Sequence, residues 1–456
     1  MGGLFGILGI SSGALQADQG AAAITGNNIA NVNTPGYSRE QINLSENAPI
    51  QVGNFLLGDG VSLDQTTSIR DNLLQQRINQ ENQSAGQLSA FLGPLNQVQS
   101  IFNETSSSGL QTPLTAFFNS LSQLSATPNS SALREGVITA GQNLASAFQQ
   151  DASTLQSLQS NADLSVQQSV SQINTLATQI AALNTQVSSL IAAGKDGGAF
   201  EDQRSQLVNQ LSGLVDVSQT DAGNGNITLT TSNGAALVVG AQSFALSTRI
   251  NPATAYQDVY SQGADITSSI TSGTLGGQIQ VRDKEIPAIL NKLNTLAYGV
   301  ATAVNTQSKA GFDANGVAGV NFFSAPAAVN GAAASFSVAI TDPNLVAASS
   351  DGSVGSNGNV QALANLQNQN IVAGQTPGNY YGGLIYQIGS DISQANSEQT
   401  SVGLVQQQLT DQQGAISGVS LNEEATNLIR YQSAFQASAS VISAVDAMLS
   451  SLLAIT

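Results

Sequence analysis

The side chains able to do acid–base work in this sequence are carboxylates: it has 29 Asp and Glu, 12 Lys and Arg, and neither histidine nor cysteine. Glu423-Glu424 has the make-up of a general acid and base. It stands at a predicted helix start, Asn422-Glu423-Glu424-Ala425, where carboxylates favour the positive end of the helix dipole, so capping explains it more simply. Asp313-Ala314-Asn315-Gly316 has the opening of a calcium loop but lacks its later ligands and terminal Glu, and reads as a turn. The glycines between 352 and 358 lack the Lys-Ser/Thr of a phosphate loop. Arg282-Asp283-Lys284-Glu285 reads as a solvated helix start. Thiolate nucleophiles, Cys/His metal sites and histidine-based triads are excluded by composition. The expectation is a chain with no catalytic residues, no cofactor and no metal: not an enzyme.

Composition also bounds the partners. Charged residues are 9% of the chain, against roughly 25% in typical soluble domains. The surface must therefore be neutral and polar, which repels copies of itself weakly and suits side-by-side packing. The net charge of -17 with no Lys/Arg cluster argues against nucleic acid and against an anionic membrane surface. The apolar start (Leu4, Phe5, Ile7, Leu8, Ile10) has no basic n-region and is broken by Gly2, Gly3, Gly6, Gly9 and Gly13, so a cleaved secretory signal is not expected. No stretch approaches ~18 uninterrupted apolar residues, so no membrane span is expected either.

Mainly helical elements must carry whatever these residues do. Leu8, Leu15, Ala22 and Ile29 recur every seven residues, and Pro35-Gly36 then stops the helix. Residues 38–68 read as extended, with a turn at Gly58-Asp59-Gly60. Leu73, Leu88, Leu92, Leu95, Val98 and Phe102 predict a helix, and Thr112-Pro113 predicts the start of another. The run Leu155, Leu158, Ala162, Val166, Val170, Ile173, Leu176, Ile180, Leu183, Val187, Leu190 alternates steps of three and four like a coiled-coil seam. Residues 216–281 switch to period two, as in Ile227-Thr228-Leu229-Thr230, and predict a β-rich insertion. Helix returns over 284–309, short strands and loops fill 310–360, and helices cover 380–413 and 421–453.

The strongest periodicity lies near the C-terminus. Leu421, Leu428, Phe435, Ile442 and Leu449 recur every seven residues, with Tyr431, Val445 and Leu452 three residues after their partners. A solitary helix of this kind buries nothing and is marginal, so it needs partners. Periodicity alone leaves an intramolecular bundle and an intermolecular assembly equally open.

Two motifs separate those readings. Asn27-Asn28-Ile29-Ala30-Asn31-Val32-Asn33-Thr34-Pro35-Gly36-Tyr37-Ser38-Arg39 resembles the N-terminal signature of bacterial flagellar rod, hook and hook-associated proteins. Gly418-Val419-Ser420-Leu421-Asn422-Glu423-Glu424-Ala425, continuing to Leu428, Tyr431 and Gln432, is similar to the matching C-terminal signature. Asp202-Gln203-Arg204, Gly276-Gly277 with Arg282-Asp283, Gly311-Phe312-Asp313 and Ala339-Ile340-Thr341-Asp342-Pro343 resemble the hook-associated protein 1 (FlgK) family within that group.

The resemblance implies a mainly α fold with β-rich insertions. Residues 1–40 and 415–456 would pair as a coiled-coil-like inner core. A long-helix bundle with short β segments, 41–215 and 282–414, would surround it, and 216–281 would form a small outer β domain. It implies a structural subunit of the extracellular flagellum at the hook–filament junction, exported by the flagellar type III apparatus. Implied partners are copies of itself, hook protein below, the next hook-associated protein or the flagellin side above, and an export chaperone on the C-terminal helix. The expected assembly residues are Leu8, Leu15, Asn28, Ile29, Asn31, Pro35 and Gly36 at one end and Leu421, Leu428, Tyr431, Phe435, Ile442, Val445, Leu449 and Leu452 at the other. The alternatives are the hook protein or another rod/hook axial protein, and, more distantly, a secreted coiled-coil adhesin or fibre.

Overall fold

The computed structural model describes residues 2–52, 55–103 and 109–454. Helix α1 (Gly2–Ala30) ends in a turn over residues 31–36. The chain then runs out through β1 (Glu40–Glu46) and β2 (Ile50–Val52) and back through β3 (Phe55–Leu57) and β4 (Val61–Ser68). β1 pairs antiparallel with β4 and β2 with β3, giving a long hairpin whose register slips between Asn43 and Leu44. The hairpin lies along α1 over glycines spaced by seven. A Cβ at Gly13 would stand 3.0 Å from the Val61 carbonyl oxygen, and any side chain at Gly20 would collide with Leu63. Gly6, Gly13 and Gly20 are thus the seat of the hairpin.

Three helices and a very long one form the body. α2 (Asn72–Ile101) is capped by Asp71, whose carboxylate accepts from the amides of Leu73 and Leu74. Leu74 points inward while Leu73 is 69% exposed, so the predicted stripe begins one residue late. α3 (Gln111–Ala126) starts at Gln111 rather than at a Thr112 cap, and Pro113 sits in its first turn, where its missing N–H costs nothing. α4 (Ser131–Ala192) is 62 residues long, roughly 90 Å, and α5 (Gly198–Leu214) packs back on it.

The predicted seam on α4 is buried along most of its length, but no long partner helix covers it. Its first part joins a core with α2, α3 and later helices. From Val166 onward it packs on a β unit. That unit contains one sheet in the order β5 (Ser218–Gly223), β6 (Asn226–Thr230), β7 (Ala236–Val239), β8 (Gln242–Ser243). A second sheet has β10 (Gln257–Ser261) between β9 (Leu246–Ile250) and β11 (Ala264–Asp265). Two asparagines of α4 dock these strands. Asn174 exchanges two hydrogen bonds with the Leu246 backbone, at 2.7 and 2.8 Å, and Asn184 donates to the carbonyls of Ile227 and Gly240. Sheets present backbone donors and acceptors at their ends, which an amide side chain satisfies and an aliphatic seam residue cannot.

The chain is helical again from α6 (Gly273–Gln280), through a π-helical turn at Val281–Glu285, into α7 (Ile286–Lys309). Here the expectation of a solvated helix start is wrong. Arg282 is 1% exposed, paired with Asp163 on α4 at 2.7 Å and with Asp283, and donates to the Gln257 carbonyl at 2.6 Å. Arg282 lies in the π turn, and these partners satisfy its buried charge. Residues 310–357 hold isolated bridges and a 3-10 turn at Pro343–Leu345 rather than the expected short strands. Asp313 accepts from the amides of Asn315 and Val317, making the expected turn. α8 (Gly358–Asn365), α9 (Pro377–Ser417) and α10 (Leu421–Leu453) complete the chain.

Candidate assembly interface

The two end helices pair. α10 packs along α1, with its N-terminal turns (Asn422 to Tyr431) around a groove shared with Ala21, Ile24, Thr25 and Asn28 near the C-terminal end of α1. The helices therefore run antiparallel. α1 buries small residues, Ala17, Ala21, Thr25 and Asn28, at steps of four, four and three. The larger expected residues Leu8, Leu15 and Ile29 flank that stripe and are half-buried. Small side chains allow close approach of the backbones but remove little apolar area from water.

α10 is correspondingly open. Ser420 caps it, and Glu423 and Glu424 occupy its first turn. Of the expected residues, Val445 is 1% exposed, and Leu428, Tyr431, Ile442 and Leu449 are half-buried. Leu421, Phe435 and Leu452 are exposed, as are Ile429, Val441, Met448 and Leu453. One 18-residue window within Pro377–Leu453 has a mean hydropathy of 1.2, enough by length and composition to cross a membrane, yet only 6% of it is buried. The helix therefore carries exposed apolar side chains along much of its length.

The signature between the end pair and the hairpin is pinned residue by residue. Asn28 is 2% exposed; its amide nitrogen donates to the Glu40 carbonyl at 2.9 Å, and its oxygen accepts from the Glu40 amide and the Tyr37 hydroxyl at 3.0 and 2.7 Å. Burial, with Glu40, Asp202 and Glu424 nearby, pushes the Tyr37 phenol above its ordinary range, so it stays a donor. Asn31 donates back to the Asn27 carbonyl and accepts from Thr34, folding the turn. Pro35 and Gly36 are exposed; Gly36 has φ +77°, the left-handed region glycine tolerates, and Gln206 of α5 donates to the Pro35 carbonyl beside it.

Sequence reasoning missed the charged groups that tie this turn down. Ser38 donates to the buried Asp202 carboxylate through its amide and hydroxyl, at 2.9 and 2.7 Å. Arg70 binds the same carboxylate at 2.7 Å, the Gly198 carbonyl at 2.7 Å, and Glu201. Arg39 pairs with Glu423 at 2.5 Å and lies 3.7 Å from Glu424, which is 3% exposed, so these carboxylates do more than cap. Arg204 is buried and donates to Asn184 and to the Gly225 carbonyl. A usable signal was present: in a chain this poor in charge, each arginine is disproportionately a partnered one.

No group of three or more candidate metal-binding side chains occurs among the described residues. The two ends of the chain thus form one helical unit set on a long-helix body that carries a β unit.

Comparison with known proteins gives the family. Residues 95–323 match the family described as the flagellar hook-associated protein FlgK helical domain. Residues 8–37 match the flagella basal body rod protein family, and 412–455 the flagellar basal body rod FlgEFG protein C-terminal family. Flagellar hook-associated protein 1 of Bacillus subtilis (strain 168) is 30% identical over 488 residues, covering 96% of this chain and 95% of that one. Its Escherichia coli (strain K12) counterpart is 28% identical, covering 96% and 97%. The flagellar hook junction protein FlgK from Burkholderia pseudomallei superposes with a TM-score of 0.67 at 17% identity, over 75% of this chain and 100% of that one. The chain belongs to the flagellar hook-associated protein 1 (FlgK) family. It is a structural subunit of the hook–filament junction in the extracellular flagellum, and not an enzyme.

Proposed function

We propose that the paired end helices are the element that builds this protein into the junction, by packing against the end helices of neighbouring copies and of the subunits on either side. The carrying observation is the open stripe on α10: a 33-residue capped helix whose apolar residues recur at heptad spacing, with Val445 its sole buried apolar residue. Hook protein would lie below and the next hook-associated protein or flagellin side above, so that the subunit adapts one packing to the other. Leu8, Leu15 and Ile29 on α1, with Leu421, Leu428, Tyr431, Phe435, Ile442, Leu449 and Leu452 on α10, would make the contacts. Asn28, Asn31, Pro35 and Gly36 would aim the end pair.

The same stripe is a fitting target for an export chaperone before assembly, in the manner of a helix laid in a groove. Three units follow: 1–40 with 415–456 inside, 41–215 with 282–414 around them, and 216–281 outermost. Cells lacking the protein are expected to make hooks and to shed filament subunits into the medium. Filaments of normal number and length on such cells would contradict the assignment.

A further inference from the structure

Neither apolar core of the body includes a residue of α1, the hairpin or α10 among the described residues. The end pair is instead fastened by polar groups, around a cavity of about 790 Å³ whose lining includes Gly36, Arg70, Asp202, Gln206 and Gln413. Three consecutive residues make the main attachments. Ser38 holds α5 through Asp202. Arg39 holds α9 through its amide, which donates to the Ser417 carbonyl at 2.9 Å, and α10 through Glu423 and Glu424. Glu40 holds α1 through Asn28.

Asp202 belongs to α5 of the body, and its carboxylate is filled. Besides the two bonds from Ser38 it accepts from Arg70 Nε and Nη2, at 3.1 and 2.7 Å, while only 8% of the residue is exposed. A buried carboxylate needs its donors in place, so it specifies the position of Ser38 far more sharply than an apolar contact would. A joint of this kind also releases and reforms without exposing apolar surface.

We propose that Asp202, oriented by Arg70, is the anchor that couples both ends of the chain to the body and sets the direction in which the paired helices leave it. Asp202 is thus a positioning residue: it is buried and acts through Ser38 and Arg39. This rests on the reading of the end pair as the assembly element.

The test uses two full-length variants. Asp202→Ala removes the acceptor; Arg70→Met with Asp202→Leu replaces the ion pair by apolar volume, an exchange that keeps a body folded. In the purified wild-type chain the Ser38 amide is expected to exchange slowly. In the variants it is expected to exchange at least about tenfold faster, the effect of losing a charged hydrogen-bond acceptor, with α4 protection unchanged in the double variant. In cells, the same variants are expected to leave filaments on fewer than about one hook in ten, the roughly tenfold loss of the anchored state carried into assembly. Unchanged Ser38 exchange in both variants, or lost protection with wild-type filament numbers, would overturn the proposal. Filaments on cells that lack the chain altogether would sink the junction reading instead, so the two failures are distinguishable.

Discussion

Val445→Asp is expected to abolish filament growth while leaving the body of the protein folded. Val445 is the sole apolar side chain of α10 that is fully buried, and α10 packs along α1. No arginine or lysine lies on α1: between Gly2 and Ala30 the chain has no basic residue at all. An aspartate there would be an unpaired buried charge, which costs several kcal/mol or forces the helices apart. The end pair has little to set against that penalty, because Ala17, Ala21 and Thr25 bury little area. The neighbouring Asp446 is exposed, so a charge is tolerated on α10 when it points outward, and Asp446→Asn serves as the control. Electron microscopy of cells carrying each variant checks this: bare hooks for Val445→Asp, wild-type filaments for Asp446→Asn. The melting temperature of the purified Val445→Asp protein should stay that of the wild type, since α10 contributes nothing to either apolar core among the described residues.

Phe323→Ala should show the opposite profile. Phe323 is 0% exposed, with ring centroids 4.5, 4.8 and 5.2 Å from Phe336, Phe322 and Phe117. Its backbone is fixed on both sides by Asn305 of α7, which accepts from its amide and donates to its carbonyl, each at 2.9 Å. With the backbone held, the site cannot collapse around the lost ring, so the full cavity cost applies: about 3–5 kcal/mol for a buried Phe→Ala. In a body this large that corresponds to a fall of melting temperature on the order of 10 °C. Calorimetry on the purified chain reads it. An unchanged melting temperature would show that this aromatic cluster is not the centre of the body.

The two variants separate what the sequence made legible from what it hid. Heptad spacing located α10, period two at residues 227–230 located a strand, and the alternation of three and four located α4. These signals are local, because a helix face or a strand face is set by neighbours within a turn or two. The cover of the α4 seam was not legible, because Asn174 and Asn184 look like surface amides until strands some 40 to 70 residues later end against them. Arg282 was misread for the same reason: its partner Asp163 is 119 residues away. On α1 the periodic leucines marked the right helix, but the buried stripe is the small one beside them. The signature at residues 27–39 identified a family without explaining itself; the hydrogen bonds of Asn28, Tyr37 and Ser38 supply the reason those residue types stand there.

The central claim is that the open face of the end pair is covered by neighbouring subunits in the flagellum. The chain has no cysteine, so a single introduced thiol reports on one place alone. Ile429 stands on α10 and is 65% exposed. Ile429→Cys should react rapidly with a maleimide in the free chain and at least about tenfold more slowly in intact hook–filament assemblies, as expected for a side chain moved into a water-excluded contact. Reactivity should return when the same assemblies are depolymerised. Equal labelling rates in the free chain and in the intact flagellum would contradict the account.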